Sequence, residues 1–348
     1  MSREPWFAVL RPLSSRRQFW LWLLSFALPV VIWSAVSYVP FLWHPVMRVT
    51  SPGDVAWFTT GMLIDRHEFA QEAEKIAAAG GRRPEGVRAN PIFLPAPHQV
   101  ARALYTAFTT KPVLRGDVWL HESLWLSIRT IFWGFVVSSA IGVPLGILCG
   151  SYAALARLTE PLVDFIRYMP APAFGALMVA IFGIYQQPKI AIVFIGTFFQ
   201  QVLVIANTVR KVDPALIEAA QTLGAKRRNL IWRVIVPASL PDLYNDLRIL
   251  LGWAWTYLIV AEVVGISSGI TFFINQQAKY RNFDNVYAAI LIIGSIGLLT
   301  DQALAFFGER MFAWRNGRPS RLRTFITRLF AGRDVLLFPD QPEGGARS

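Results

Sequence analysis

Charged side chains are scarce in this sequence. Asp, Glu, Lys and Arg together make up 16% of its 348 residues, whereas soluble domains carry about 25%. Four runs contain none of these residues: 18–47, 130–156, 168–188 and 190–209. Each run is long enough for the roughly 20 apolar residues that a helix needs to cross a bilayer. The lack of charge argues against an ordinary soluble domain and indicates a membrane protein.

Residues for covalent or metal chemistry are equally few. Cys149 is the only cysteine, so an internal disulfide is excluded and a thiolate metal site is not expected. The four histidines are scattered, and neither paired carboxylates nor a catalytic triad spacing occurs. The sequence also lacks the G-x-x-x-x-G-K-[ST] phosphate-binding motif. We therefore expect no catalytic residue, metal or cofactor in this chain.

Two shorter uncharged runs, 249–261 and 285–300, bring the predicted number of membrane spans to six. The alternative for these two is a buried helix of a soluble domain. An N-terminal segment, 1–18, precedes the first span at 19–43, which is longer than the apolar core of a signal peptide and lacks a cleavage site. Five further spans are expected within 121–312. The predicted fold is an all-α integral membrane protein.

Lys and Arg in the short loops predict the orientation. They are concentrated before the first span, between later spans and in the tail, 313–348, which we expect to be partly disordered. Both termini are therefore predicted to lie in the cytoplasm. The net charge of +12 then reflects topology and some contact with anionic lipid, and no nucleic acid partner is expected.

The segment 44–120 is predicted to lie outside the membrane and to contain short helices. "SPGDVAWF" has the residues of a helix start, and "DRHEFAQEAEKIAAAGG" of an exposed helix that ends at two glycines. "RRPEGVRANP" has the composition of a linker, and a short amphipathic helix follows Pro97. This last helix either packs on its neighbours, lies at the membrane interface, or docks an outer partner.

Several residues within the spans are candidates to line a translocation pathway: Pro170, Gln200, Gln201, Trp253, Tyr257 and Glu262. A proline frees backbone groups that need protein or water as partners. Glutamine and glutamate rarely face lipid, and aromatic side chains in the middle of a span suggest a polar cavity. The alternatives are a simple kink at the proline and hydrogen bonding between helices by a glutamine. Gly142, Gly146 and Gly150, spaced four apart, predict close helix packing.

One polar stretch, residues 213–237, lies between two apolar runs and is here called the polar hairpin. Asp213 and Pro214 are typical of a helix start, and Gly224 suits the position just after a helix end. A second helix is predicted from Lys226 to Val234, with Pro237 ending it. An ordinary cytoplasmic loop with solvated charges is the alternative.

The polar hairpin resembles the motif of permease subunits in binding-protein-dependent ABC importers. That motif is Glu-Ala-Ala, three residues, Gly, nine residues, then Ile-x-Leu-Pro. This chain has the same spacing, with Val in place of the Ile and of the Leu, at these positions: Glu218, Ala219, Ala220, Gly224, Val234, Val236 and Pro237.

The resemblance implies a six-span type I importer permease, with Glu218, Ala219, Ala220, Gly224 and Pro237 coupling it to a separate ATPase. It further implies that two permease copies pair, that an ATPase dimer supplies ATP and Mg²⁺, and that a soluble solute-binding protein delivers the solute.

Residues 92–312 resemble the nitrate/sulfonate/taurine branch in several stretches, including "FLPAPHQV", "EPLVDFIRYMPAPAF", "IFGIYQQPKIAI" and "LGWAWTYLIVAEVVG". The branch implies a small polar or anionic solute such as nitrate, a sulfonate, bicarbonate or a urea- or guanidine-like compound. A stand-alone secondary transporter is the alternative, although its usual internal symmetry is absent from the sequence.

Overall fold

The structure is a computed structural model that describes residues 14–39, 42–110, 118–264 and 268–312. The predicted basic tail and most of the N-terminal segment lie outside these residues. The described chain is mostly helical, as predicted. Its elements are α1 Ser15–Tyr38, β1 Val46–Ser51, β2 Leu63–Asp65, α2 Arg66–Ala78, β3 Glu85–Ala89, α3 Pro97–Thr109, α4 Leu120–Ser151, α5 Ala153–Arg167, α6 Gly175–Phe182, α7 Gln187–Arg210, α8 Pro214–Thr222, α9 Arg227–Leu230, α10 Val236–Val264, α11 Ile270–Lys279 and α12 Phe283–Met311.

The described residues fall into two compact units. The first unit lies within Met1–Thr130, Phe182–Lys189 and Ile259–Ser295. The second lies within Ile131–Ile181, Ile190–Leu258 and Ile296–Ser348. Five helices, α4, α6, α7, α10 and α12, contribute residues to both units.

Four described helices are long and apolar enough to cross a membrane: α1, α4, α7 and α12. The bent pair α5 and α6 would make a fifth span. Helix α10 has 29 residues but is not among the described helices that are apolar enough by this measure. The count of six spans therefore stays a prediction.

The chain between α5 and α6 is broken at Pro170, the proline that sequence analysis singled out. A 3₁₀ turn, Ala171–Phe174, follows Pro170, and the axes of α5 and α6 differ by 89°. A proline cannot donate the backbone hydrogen bond that a continuous helix requires and fixes its own φ. The predicted interruption is confirmed, and it is a sharp bend.

The outer segment of the first unit contains a three-stranded antiparallel sheet with the order β2-β1-β3. The helix start expected at "SPGDVAWF" and the linker at "RRPEGVRANP" were wrong. The first stretch forms turns after β1, and the second contains β3, which pairs with β1 in a register that places Arg48 opposite Val87. The strands have three to six residues and partners distant in sequence, so no local periodicity indicates them.

The two predicted helices of this segment are confirmed. Helix α2 begins at Arg66 and is capped by Asp65, whose carboxylate accepts a hydrogen bond of 2.8 Å from the backbone N–H of His67. Helix α3 begins at Pro97, and Val100 on its apolar stripe is buried beside Ala288. Trp33 of α1 joins this cluster and stacks on Tyr287 with ring centroids 5.7 Å apart.

Close packing in the second unit depends on glycines of α4. A Cβ built on Gly150 would lie 2.6 Å from Cβ of Val209, and one on Gly146 would lie 2.7 Å from Cβ of Ile205. No side chain larger than hydrogen fits at such separations, so the predicted packing role is confirmed for these two positions.

The Gly150→Ala substitution is expected to lower the free energy of unfolding by about 1–3 kcal/mol, because it forces α4 and α7 apart. Gly297→Ala on α12 is the matched control, since its Cβ would meet nothing within 4 Å. Thermal unfolding in nanodiscs measures both variants. Equal stability of the two variants would contradict this packing argument.

Candidate coupling hairpin and pathway residues

The first half of the polar hairpin folds as its sequence predicts. The carboxylate of Asp213 accepts a hydrogen bond of 2.9 Å from the N–H of Ala215, and Pro214 occupies the first turn of α8. Gly224 has φ +80°, its N–H donates to Gln221, and the N–H of Ala225 donates to Ala220. This pair of bonds is the Schellman arrangement at a helix end, and it suits glycine because L side chains disfavour positive φ.

The second half differs from the prediction. After α9, the helix continues through a π-helical segment, Ile231–Ile235, directly into α10. Pro237 therefore does not end a helix but lies in the first turn of α10. A proline is tolerated in the first turn of a helix, although it cannot donate the i→i−4 hydrogen bond. The π-helical segment before Pro237 has wider turns, so regular i→i−4 bonding is already interrupted there.

The polar hairpin has one anchored side and one exposed side. Ile231 and Ile235 are buried in a cluster with Ile147, Ile205 and Leu243 of the second unit, against which Ile217 and Leu230 also pack. By contrast, α8 contains no buried residue. Leu216 is 49% exposed and Leu223 is 88% exposed. Leu216 and Leu223 therefore form an exposed apolar face, whereas Ile217 of α8 packs against the cluster that anchors the hairpin.

Glu218 and the basic residues of the polar hairpin surround this exposed face. Glu218, Lys226, Arg227 and Arg228 are all exposed, and none of their side chains is paired with another described residue. An exposed apolar surface with a charged rim is typical of a protein interaction site. The hairpin thus combines a fixed base with a surface that fits a partner.

Gln201 lies between helices of the second unit and is fully buried. Its Oε1 accepts a hydrogen bond of 2.8 Å from Ser138, and its Nε2 donates one of 3.0 Å to Ser139. Both serines belong to α4, so this side chain links α7 to α4. These bonds agree with the alternative given in the sequence analysis, in which a glutamine joins two helices by hydrogen bonds. A role for Gln201 in the pathway stays a prediction.

The Gln201→Leu substitution is expected to lower the free energy of unfolding by about 0.6–2 kcal/mol, because Ser138 and Ser139 lose their side-chain partner. Gln200→Leu is the matched control on the same helix and has no such bond in the described structure. Thermal unfolding in nanodiscs is the measurement. A larger loss of stability in the Gln200 variant would contradict the assignment.

Gln200, Tyr257 and the bend at Pro170 come together in the second unit. Gln200 and Tyr257 line a small cavity of about 20 Å³ together with Met169 and Ala171, the residues on either side of Pro170. The ring of Tyr257 packs on Gly196, where a Cβ would lie 2.6 Å from the ring. Trp253, one helical turn earlier, is 47% exposed and does not line this cavity.

Glu262 lies in the first unit and is 3% exposed. Its carboxylate accepts hydrogen bonds from the hydroxyl of Ser127 and, at 2.8 Å, from the N–H of Thr271. The Ser127 hydroxyl also accepts from the N–H of Ile270 at 2.8 Å. Gly269 has φ +107°, and a Cβ there would overlap the carboxylate. These bonds hold the start of α11 against α4 and α10.

Lys189 is the residue that sequence analysis missed. Sequence analysis gave it no role, yet it is 1% exposed in the first turn of α7. Its Nζ donates to the carbonyl oxygen of Ser268 at 2.7 Å and to the Ser268 hydroxyl at 2.9 Å. Its charge also interacts with that of Glu262, although the two side chains form no ion pair in the described part of the chain. We call Ser127, Lys189, Glu262, Ser268 and Thr271 the Lys189–Glu262 cluster.

A signal for Lys189 was present in the sequence. The lysine follows "GIYQQP" and precedes an uncharged run, so it starts a membrane helix where an unpaired ammonium group would be costly. The presence of a buried acid, Glu262, on another span could have suggested a partner for it. The sequence alone offered no distance between the two.

Comparison with known proteins agrees with this architecture. Residues 142–313 match the family described as binding-protein-dependent transport system inner membrane component. A Methanocaldococcus jannaschii protein named as an ABC transporter permease is 35% identical over 65% of this chain and 84% of its own length. The Escherichia coli taurine transport system permease protein TauC is 31% identical over 65% of this chain and 81% of its own.

Two further similar proteins match a smaller share of this chain. The Synechococcus elongatus bicarbonate transport system permease protein CmpB is 30% identical over 52% of this chain and 65% of its own length. The inward-facing MetNI methionine ABC transporter is similar at a TM-score of 0.49 and 22% identity, covering 57% of this chain and 97% of that chain. The family assignment rests on the sequence relatives.

The matched residues include the polar hairpin with its spacing of Glu218, Ala219, Ala220 and Gly224, the apolar helices α7 and α12, and the end of α4 from residue 142 onward. Those helices place the chain in a membrane as a multi-pass protein. This chain belongs to the permease subunits of binding-protein-dependent ABC importers, in the nitrate/sulfonate/taurine branch.

Proposed function

We propose that two copies of this chain form the pathway by which a small polar or anionic solute enters the cytoplasm. ATP hydrolysis on a separate ATPase dimer, which holds ATP and Mg²⁺, drives the transport. A soluble solute-binding protein delivers the solute from outside. The protein lies in a bacterial inner membrane with both termini in the cytoplasm, as the distribution of Lys and Arg predicts.

The exposed apolar face of the polar hairpin supports the ATPase partner most directly. Leu223 is 88% exposed while Ile231 and Ile235, a few residues later, are buried. A force on the exposed face therefore passes to the buried cluster, which contains residues of α4, α7 and α10. Because these helices belong to the membrane part, movement of the hairpin can change the arrangement of the spans.

The proposed solute class draws on the relatives. TauC is named for taurine and CmpB for bicarbonate. Both solutes are small and polar, and both carry an anionic group. In such importers the solute-binding protein is expected to set most of the selectivity.

The proposed pathway includes Gln200 and Tyr257, which meet at the bend near Pro170. Trp253 lies on the same face of α10 as Tyr257, four residues away. Gln201 and Glu262 are proposed to contribute by positioning α4, α7 and α11, since both are buried and hydrogen bonded.

Reconstitution tests the proposed function. The solute-binding protein encoded beside this chain first identifies the solute by direct ligand binding. The permease, its ATPase and the binding protein are then assembled in proteoliposomes, and uptake of that solute is measured. We expect uptake to require all three proteins and ATP. Uptake by the permease alone along an ion gradient would contradict the proposal and support a secondary transporter.

A further inference from the structure

The outer segment of the first unit contains a cleft of about 990 Å³, here called the outer-segment cleft. Its walls come from the end of α1, from β1 and β3, from one face of α3, and from the turn between α11 and α12. The volume lies at the upper end of the range of small-molecule sites, about 300–1,000 Å³. The residues that line it carry two distinct kinds of polar group.

The first kind is cationic. The arginines Arg48, Arg102 and Arg281 line the cleft, against a single lining acid, Asp284. All three are exposed, and none of their guanidinium groups makes an ion pair or hydrogen bond with another described residue. Arg88 is not counted with them, because it pairs with Met47 and so projects from the opposite face of the sheet to Arg48.

Arg281 is held in an unusual backbone conformation. Its φ is +59°, and it is the only residue other than glycine with a positive φ in the described part of the chain. Such a conformation costs of order 1 kcal/mol for an L side chain and tends to occur at functional sites. Here it lies in the short turn between α11 and α12, at the wall of the cleft.

The second kind of group is buried and lacks partners. Ser37 is 5% exposed, and its hydroxyl has no hydrogen-bond partner among the described residues. The same is true of Nδ1 of His44 and Oδ1 of Asn90. All three residues line the cleft. Buried polar atoms usually find a partner, so three without one at a single place is exceptional.

The hydrogen bonds that His44 and Asn90 do make show that their unpartnered atoms are hydrogen-bond acceptors. The Nδ2 of Asn90 donates to the Ser37 carbonyl oxygen at 3.0 Å, and Nε2 of His44 faces the same oxygen at 3.3 Å. In the neutral imidazole, Nε2 therefore carries the proton and Nδ1 is an acceptor. Oδ1 of Asn90 is an acceptor as well. The described residues that line the cleft thus provide unpaired guanidinium groups and buried hydrogen-bond acceptors without partners.

We propose that the outer-segment cleft binds a small organic anion that also carries N–H donors, such as an aminosulfonate. The anionic group pairs with Arg48, Arg102 and Arg281. The N–H group bonds to Nδ1 of His44 and Oδ1 of Asn90 once a small side-chain shift uncovers these two atoms, which are buried in the structure. Binding at this site needs neither the ATPase nor uptake, so it goes beyond the proposed transport function. An acidic surface of a docking protein would satisfy the arginines but not the buried acceptors.

Ligand-observed NMR on the full chain in phosphatidylcholine nanodiscs tests this site, without an ATPase or a binding protein. Taurine is the probe, ethanesulfonate is its analogue without the amine, and ethylamine is its analogue without the sulfonate. We expect taurine to bind about tenfold more tightly than either analogue. The Arg48→Gln and Arg102→Gln variants are each expected to weaken taurine binding about tenfold or more.

Arg83→Gln is the matched control, because Arg83 is exposed in the same segment but does not line the cleft. It should bind taurine as the unmodified chain does, and thermal unfolding confirms that all variants are folded. Absence of taurine binding, equal binding of ethanesulfonate, or an equal effect of Arg83→Gln would overturn the proposal. So would arginine variants that weaken only the capture of a solute-binding protein, which would make the cleft a docking surface.

Discussion

The Glu218→Lys variant is expected to insert and fold normally but to lose ATP-driven uptake by about tenfold or more. Glu218 is exposed on α8, and its carboxylate forms no hydrogen bond or ion pair with another described residue, so the fold does not need it. Reversing a charge that meets a partner leaves an unpaired charge in the contact, which costs several kcal/mol. Uptake into proteoliposomes and ATP hydrolysis by the assembled complex measure the effect.

Glu74→Lys is the matched control for this prediction. Glu74 is exposed on α2 of the outer segment, and the substitution changes the charge by the same amount. Gly224→Pro is a second variant of the hairpin, because proline cannot adopt the φ of +80° found there. If Glu218→Lys supported normal uptake, or if Glu74→Lys reduced it equally, the assignment of the coupling surface would be wrong.

The Lys189→Met variant is expected to lower the free energy of unfolding by about 3 kcal/mol or more. The substitution removes two hydrogen bonds to Ser268 and takes a positive charge away from the neighbourhood of buried Glu262. Removing a buried charge together with the hydrogen bonds that it donates is strongly destabilising, because Ser268 loses its donor and the charge of Glu262 loses its compensation. Thermal unfolding in nanodiscs and the yield of folded protein are the measurements.

A double-mutant cycle shows whether the two charges act together. Glu262→Gln in the Lys189→Met background removes the uncompensated charge, so the double variant should be more stable than the sum of the single effects predicts. Lys279→Met is the matched control, because Lys279 is exposed on α11. Additive effects of the two substitutions, or equal destabilisation by Lys279→Met, would contradict a joint role.

Local signals in the sequence predicted much of this fold. Long uncharged runs indicated α1, α4, α7 and α12, and each is a helix in the structure. The caps of α8 were predictable because Asp213, Pro214 and Gly224 act on backbone groups within a few residues of themselves. The bend between α5 and α6 followed from the proline at 170 for the same reason.

Features that depend on distant partners were not predictable in this way. Strand β3 forms because β1, more than thirty residues earlier, presents a free edge. Lys189 is buried because Ser268 and Glu262 come to it from other helices. Pro237 was taken as a helix end because its sequence context did not show the π-helical segment before it.

Cross-linking from the tip of the polar hairpin tests the central claim most directly. Cys149 is the only native cysteine and is 1% exposed, so a Leu223→Cys variant carries one accessible thiol. In the assembled complex this thiol should cross-link to the ATPase subunit and should react with impermeant reagents from the cytoplasmic side alone. A thiol that reacts from outside, or that cross-links to the solute-binding protein and never to the ATPase, would contradict the account.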